Sequence, residues 1–332
     1  MMANRHLIAA RVVQHAHRHA LLYRDDVVGT AVGFRRRDKR LTDQPVLTIF
    51  VLRKRPRDQL HESQLLPRTL EAAGHRTETD VQELEAPSVP APHTHIRTPR
   101  PADAALVAPR RPIAGGASLA HWDFPIGTAA IGVQDMLSGW PCILSCNHVL
   151  ARMNQGRIGD AALQPAPDDG GWYPGEAQGA LLRFVPVRFD GTPNQVDAAI
   201  AACWPGQVSN RVHGIGAIRE AAPPWELQPG DTVRKVGRST GLTEGRVVFV
   251  DAAVKANYGP LGFDDGQASF TDQVVVDIPA AYGDSGSLLL DARNRAAGML
   301  FGGTAHHTWF NPFAFIEHQL QVRLLPPAYA WV

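Results

Sequence analysis

From about residue 113 onward the chain is a succession of short β-branched and apolar runs broken by Gly, Pro, Asn and Asp, and this pattern limits the fold more than any other feature. Thr128 to Val133, Cys142 to Leu144, Thr232 to Val236, Arg246 to Val250, Gln273 to Ile278 and Ser287 to Leu290 are such runs. Several strands at this spacing predict antiparallel barrels or sandwiches. No internal repeat at the periods of solenoids or propellers accompanies them.

Upstream the pattern changes. Between Asn4, a candidate cap, and Leu22, the residues Leu7, Ile8, Val12, Val13, Ala16 and Ala20 recur at helical spacing, which predicts an amphipathic helix. Val27 to Phe34 and Pro45 to Leu52 read as strands, followed by a Leu-rich stretch and a strand near Thr79 to Leu84. Residues 1–85 therefore read as a small α/β module. Residues 86–112 hold seven prolines and four arginines with almost no apolar periodicity, the composition of a stiff, extended linker.

The 332 residues carry 33 Lys and Arg against 32 Asp and Glu, but unevenly: 19 against 12 in residues 1–112, and 14 against 20 in the remainder. A nucleic-acid-binding arm clusters its cations, because binding neutralises phosphates. Apart from Arg35-Arg36-Arg37 with Lys39 and Arg40, the basic charge here is dispersed among acids. That argues against nucleic acid as a partner and for two oppositely charged parts that dock on each other. Three cysteines, Cys142, Cys146 and Cys203, are an odd and sparse set that points to reduced thiols. With no cleavable apolar leader and no run of about 18 apolar residues, a cytoplasmic chain with no membrane partner is expected.

Gly283-Asp284-Ser285-Gly286-Ser287 is the strongest local signal for chemistry. A serine hydroxyl becomes a nucleophile when a base takes its proton, and the oxyanion it creates needs preorganised donors. Glycines around the serine allow a tight turn in which the amides of Gly283 and Ser285 point at one oxygen, with Asp284 supporting the loop from behind. His148, at the polar end of the apolar run Leu144 to Leu150, is the candidate base at a barrel rim. Asp197 is a lone carboxylate ahead of the small apolar run Ala198-Ala199-Ile200. Buried there it needs a partner, and imidazole supplies one.

With His148, Asp197 and Ser285 in this order and a Gly-Asp-Ser-Gly loop, the chain resembles the chymotrypsin-like, or trypsin-like, serine peptidases. Their separations of 49 and 88 residues compare with roughly 45 and 93 in the chymotrypsin template. The triad orders of subtilisins and α/β-hydrolases do not fit. Val236 to Val247 is similar to the hairpin that opens the second barrel in intracellular bacterial members of the family, and Gly159-Asp160 and Asp168-Asp169-Gly170-Gly171 add to the likeness in the first. Val28 to Gly33 with its Arg-rich loop resembles the α/β module that precedes the peptidase in that bacterial group. The plant narrow-leaf proteases look like more distant relatives. Together the peptidase motifs cover about residues 113–320.

The resemblance implies a mainly β fold of two six-stranded antiparallel β-barrels behind the α/β module, with His148 and Asp197 on the first (113–220) and Ser285 on the second (221–332). It implies a serine endopeptidase that acts on a protein or peptide substrate without a cofactor. Val149 stands where secreted members have a half-cystine, which fits an intracellular relative. Pro279 stands where a trypsin places its specificity carboxylate, so cleavage after Arg or Lys is not implied. Phe301, Gly302 and Gly303 form the candidate wall of an apolar specificity pocket. Arg111-Pro112-Ile113-Ala114-Gly115-Gly116 resembles a zymogen junction, at which an amine freed at Ile113 would pair with Asp284.

Metal binding is not expected. His15 and His19 lie one helical turn apart, and His93 with His95 and His306 with His307 form close pairs, but no third ligand stands at sensible spacing. Two other readings remain open: a silent regulatory or binding protein that works with an activating or target partner, and an esterase using the same triad.

Overall fold

The computed structural model describes residues 2–37, 40–85, 87–89, 99–101, 103–259 and 266–326. It opens with helix α1 (Met2–Leu22) and strands β1 (Gly29–Arg37), β2 (Arg40–Val51), β3 (Thr69–Ala72) and β4 (His75–Glu83). The expected helix forms, burying Leu7, Ala10 and Val13 while Ile8 lies on its outer face. β1 and β2 pair antiparallel, and β2 and β4 run parallel. Lys39, in the basic loop between β1 and β2, lies outside the described residues.

Of the Pro-rich stretch, residues 86, 90–98 and 102 lie outside the described residues, His93 and His95 among them. Some of its described residues are packed onto the rest: Pro87 and Val89 are buried, and Leu106 is 1% exposed, while residues 108–112 are exposed.

The first β unit comprises β5 (Ile113–Gly115), β6 (Ala120–His121), β7 (Ile131–Asp135), β8 (Pro141–Ser145), the one-turn helix α2 (Asn147–Leu150), β9 (Ala161–Leu163), β10 (Ala177–Phe184), β11 (Ala199–Cys203), β12 (Val208–Val212) and β13 (Gly216–Ala217). The second comprises β14 (Thr232–Gly237), β15 (Gly241–Asn257), β16 (Gln267–Val276), β17 (Leu288–Asp291), β18 (Ala296–Gly303) and β19 (Thr308–Pro312), followed by α3 (Phe313–Leu320) and β20 (Val322–Leu324).

The second unit is a closed barrel. Its six strands follow the order β14-β17-β18-β19-β16-β15, and β15 returns to pair with β14, every pairing being antiparallel. In the first unit, β6 to β11 are joined by β20 in a seven-stranded sheet, and a three-stranded sheet of β5, β12 and β13 accompanies it. β20 comes from the C-terminal end and pairs with β7, Val322 opposite Asp135. The protein is thus mainly β, with a small helix and strand region at its amino-terminal end.

β1 also pairs along β15, Gly29 opposite Val254, so the amino-terminal sheet and the second barrel share one ten-stranded sheet. Arg11 reaches Asp251 at 3.1 Å, and Arg18 pairs with Asp272, joining basic α1 to acidic positions of the barrel. Among the described residues no helix is long and apolar enough to cross a membrane.

Candidate active site

β8 and β11 pair with Ser145 opposite Ala199, which brings the residues just beyond β8 against those just before β11. His148 stands on α2 at the first of these ends and Asp197 at the second. The Asn147 side chain holds the turn, donating to Val185 O at 2.7 Å and to Asn154 Oδ1 at 2.8 Å. His148 and Asp197 are both fully buried.

Three donors converge on the Asp197 carboxylate. Its Oδ2 accepts from His148 Nδ1 at 2.7 Å and from the Tyr258 hydroxyl at 2.8 Å, and its Oδ1 accepts from the His148 amide at 3.1 Å. A carboxylate only accepts, so the imidazole proton sits on Nδ1 and Nε2 is left as the basic nitrogen. Burial beside this carboxylate pushes the Tyr258 phenol well above its ordinary value, keeping it a donor. The Asp197 amide donates to Asn311 Oδ1 at 2.9 Å, and Asn311 Nδ2 donates to Gln273 Oε1 at 2.7 Å. Tyr258, Asn311 and Gln273 belong to the second barrel, so both units grip the acid.

Ser285 lies in the turn between β16 and β17. Gly283 and Gly286 have φ of 97° and 98°, and at Gly286 a Cβ would collide with Thr128 O. Only glycine tolerates that approach. Thr128 of the first unit clamps the turn, its amide donating to Ser285 O at 2.8 Å and its hydroxyl to Gly283 O at 2.7 Å. Leu300 O receives both the Gly286 amide at 2.8 Å and the Cys146 thiol at 3.0 Å, which draws the serine turn and the histidine turn to one carbonyl. His148 Nε2 is buried and has no hydrogen-bond partner, so the bond to Ser285 Oγ is not made in this state.

Asp284 supports the turn through a buried network. Its Oδ2 pairs with Lys235 Nζ at 3.2 Å and accepts from Thr240 Oγ1 at 2.7 Å and from the Ala281 amide at 3.0 Å. Its Oδ1 accepts from the amides of Ser239 at 2.9 Å and Thr240 at 3.2 Å. Burial pulls the Lys235 ammonium below its ordinary value, and the Asp284 charge opposes that shift. Ile113 is elsewhere: it is buried in β5, and its amide donates to Gln207 O at 2.7 Å. In the uncut chain the cation beside Asp284 is the Lys235 side chain.

The amino-terminal residues 7–82 match the family model described as the NARROW LEAF 1 N-terminal domain. The chain is also similar to Protein NARROW LEAF 1 of Oryza sativa subsp. japonica, 29% identical over 315 residues that cover 87% of this chain and 53% of that protein. The chain thus spans about half the length of the curated relative it matches. Among solved structures it is similar to a Cellulomonas bogoriensis chymotrypsin (20% identity, 64% of this chain, 98% of that chain, TM-score 0.44) and a Nocardiopsis protease (17%, 64%, 99%, 0.48).

At the candidate pocket, Phe301 is fully buried and stacks on Phe270 with ring centroids 4.7 Å apart, so its side chain belongs to the barrel core. The space beside Gly302 is taken by the chain itself, since a Cβ there would lie 3.0 Å from Ser88 O and 3.1 Å from a Val89 methyl. Ser88 N donates to Gly303 O at 2.9 Å and Gly303 N to Ser88 O at 3.2 Å, an antiparallel bridge at the end of β18. On its other side the segment bonds to β15, Val89 N to Asn257 O and Asn257 N to Pro87 O, both at 2.8 Å. Pro279 is exposed.

Among the described residues the one cluster with metal-ligand atoms close together is Cys146, His148 and Asp197, within 4.8 Å of one another. A metal would require the Cys146 thiolate, but burial pushes that thiol well above its ordinary value and its proton is given to Leu300 O. His148 and Asp197 are committed to one another, and Cys146 to the Leu300 carbonyl.

The sequence reading missed Tyr258, Asn311, Gln273, Thr128 and Lys235. Only Lys235 left a signal, a cation at a period-two position with buried Val233 in β14. The others are polar residues whose partners lie far away in the chain.

Proposed function

We propose that this protein is a serine endopeptidase whose triad is His148, Asp197 and Ser285. The observation that carries the reading is the buried Asp197, which accepts from His148 Nδ1 and the Tyr258 hydroxyl and leaves His148 Nε2 bare, on a turn that shares the Leu300 carbonyl with the serine turn. In the reaction Nε2 takes the Ser285 hydroxyl proton as Oγ attacks the peptide carbonyl, and Asp197 stabilises the imidazolium that forms. The amides of Gly283 and Ser285 receive the oxyanion. His148 then returns the proton to the leaving amine, and water hydrolyses the acyl-enzyme.

The action is restricted in our reading, and the substrate is a protein or peptide presented under control of a partner. Two features support this: the missing Ser285 to His148 hydrogen bond, and the occupation of the β18 edge beside the serine turn by Ser88 and Val89. An extended peptide binds by adding a strand to such an edge. We place the protein in the cytoplasm, where its three buried thiols remain reduced.

A fluorophosphonate probe tests the triad. Labelling of wild type at Ser285, lost in Ser285→Ala and in His148→Ala, is the expected result. Absence of labelling in folded wild type would refute an assembled triad in the free chain. If the probe labels Ser285, turnover of ester but not amide substrates by unlabelled enzyme would refute the peptidase and leave an esterase.

A further inference from the structure

The segment between β2 and β3, with the ends of β2 and β4, forms an open concave site of about 520 Å³. Arg53, Lys54, Arg55, Arg57 and Arg68 line it. The one carboxylate in its wall, Asp26, is already held by two nitrogens of the Arg24 guanidinium at 2.9 and 2.8 Å. Glu83, outside the wall, accepts from the Lys54 backbone amide at 2.7 Å, and Lys54 Nζ donates to Val81 O at 3.0 Å. Among the described residues none of the five cations has a carboxylate at ion-pair distance, whereas Arg24, Arg35 and Arg76 nearby all do. Five like charges around one hollow repel one another and set up a positive potential that concentrates anions.

Apart from Gln64, the rest of the wall is apolar: Val51, Leu60, Leu65, Leu66, Pro67 and Val81. A concave site of this size with an aliphatic floor and convergent polar groups is suited to a ligand of a few residues. Guanidinium forks match carboxylates in a planar, two-bonded geometry. We propose that this cavity binds an acidic segment of a protein partner, with Asp or Glu side chains on the arginines and an aliphatic or aromatic residue on the floor. Nucleic acid is a poorer fit, because it needs a track of cations along successive phosphates and aromatic rings for its bases. The cavity is built on β2 and β4, apart from His148, Asp197 and Ser285, so binding there is independent of the peptidase reading.

The test is fluorescence anisotropy with the full chain carrying Ser285→Ala, so that no probe is cleaved. The probes are a labelled short peptide of Asp and Glu around a central Leu-Phe pair, the same peptide with Asn and Gln in place of the acids, the acidic peptide with Gly in place of Leu-Phe, and a single-stranded oligonucleotide of equal charge. The expected result is binding of the first probe at least about tenfold tighter than any other, weakening with salt. Arg55→Glu with Arg57→Glu loses that binding by at least about tenfold, while Arg36→Glu with Arg37→Glu, exposed cations outside the cavity, keeps it within about twofold; thermal melting confirms that both variants are folded. Equal binding of acidic and amide peptides, equal loss in the two variants, or an oligonucleotide that binds as tightly as the acidic peptide overturns the proposal.

Discussion

Asp284 and Lys235 are both fully buried and 3.2 Å apart. Removing a carboxylate and an ammonium from water costs several kcal/mol each, and their attraction offsets this only when the remaining lone pairs are satisfied. Thr240 Oγ1 and three backbone amides do that here. Lys235→Met leaves the carboxylate buried without its cation and is expected to destabilise the fold by about 3–5 kcal/mol in denaturant unfolding. Lys235→Met combined with Asp284→Asn recovers part of that loss but leaves Ser285 labelling slow, because the turn is no longer pinned. Glu317 makes a pH-dependent contribution: burial raises its carboxyl from the ordinary 4.5 to about 7. The native state therefore binds this proton more tightly than the unfolded state, and stability falls as pH rises from 4.5 to about 7. Glu317→Gln is expected to raise stability at pH 8 by about 1–2 kcal/mol, discounted for partial exposure, and to leave it unchanged at pH 4. Equal stability differences at the two pH values would refute that assignment.

At the scale of elements, the short pieces around the site matter more than the long strands. α2 is a single turn, yet it carries His148 and is held by the side chain of Asn147 rather than by its own length. The Pro87 to Val89 segment is shorter still and lies between the ends of β15 and β18 through four backbone hydrogen bonds. A proline at Ser88 removes its donor to Gly303 O and weakens that seat by about 1 kcal/mol. Ser88→Pro is therefore expected to label at Ser285 about fivefold faster than wild type; an unchanged rate would show that the segment does not shield the site. This feature was not legible in the sequence. The Pro-rich composition of residues 86–112 predicts extended chain, and an extended chain has no intrinsic preference for solvent over a free strand edge.

For the whole molecule, the pairing of β1 with β15 makes the amino-terminal module part of the second barrel's sheet. A chain begun at residue 103 would expose the β15 edge around Ala253 and Val254 and the faces of Asp251 and Asp272 that α1 neutralises. Uncovered edges recruit other strands. Such a chain is expected to elute as dimers or larger species in size-exclusion chromatography, whereas a monomer as stable as the full chain would refute this coupling. The charge asymmetry of the sequence has its structural counterpart in Arg11 with Asp251 and Arg18 with Asp272, but which residues meet was decided by the sheet.

The sequence by itself determined what local pattern can carry: the helix over the first twenty or so residues, the β class of the remainder, and the Gly-Asp-Ser-Gly turn, whose positive φ values at Gly283 and Gly286 exclude other side chains for steric reasons. Order and spacing also singled out His148 and Asp197, because an unpartnered carboxylate ahead of a buried run is costly enough to demand a partner. Only the tertiary structure decided which cation neutralises Asp284, which second-barrel groups hold Asp197, and what covers the edge of β18. Each of these is a contact between residues far apart in the chain, and their pairing follows from strand register and closure, which no local pattern encodes.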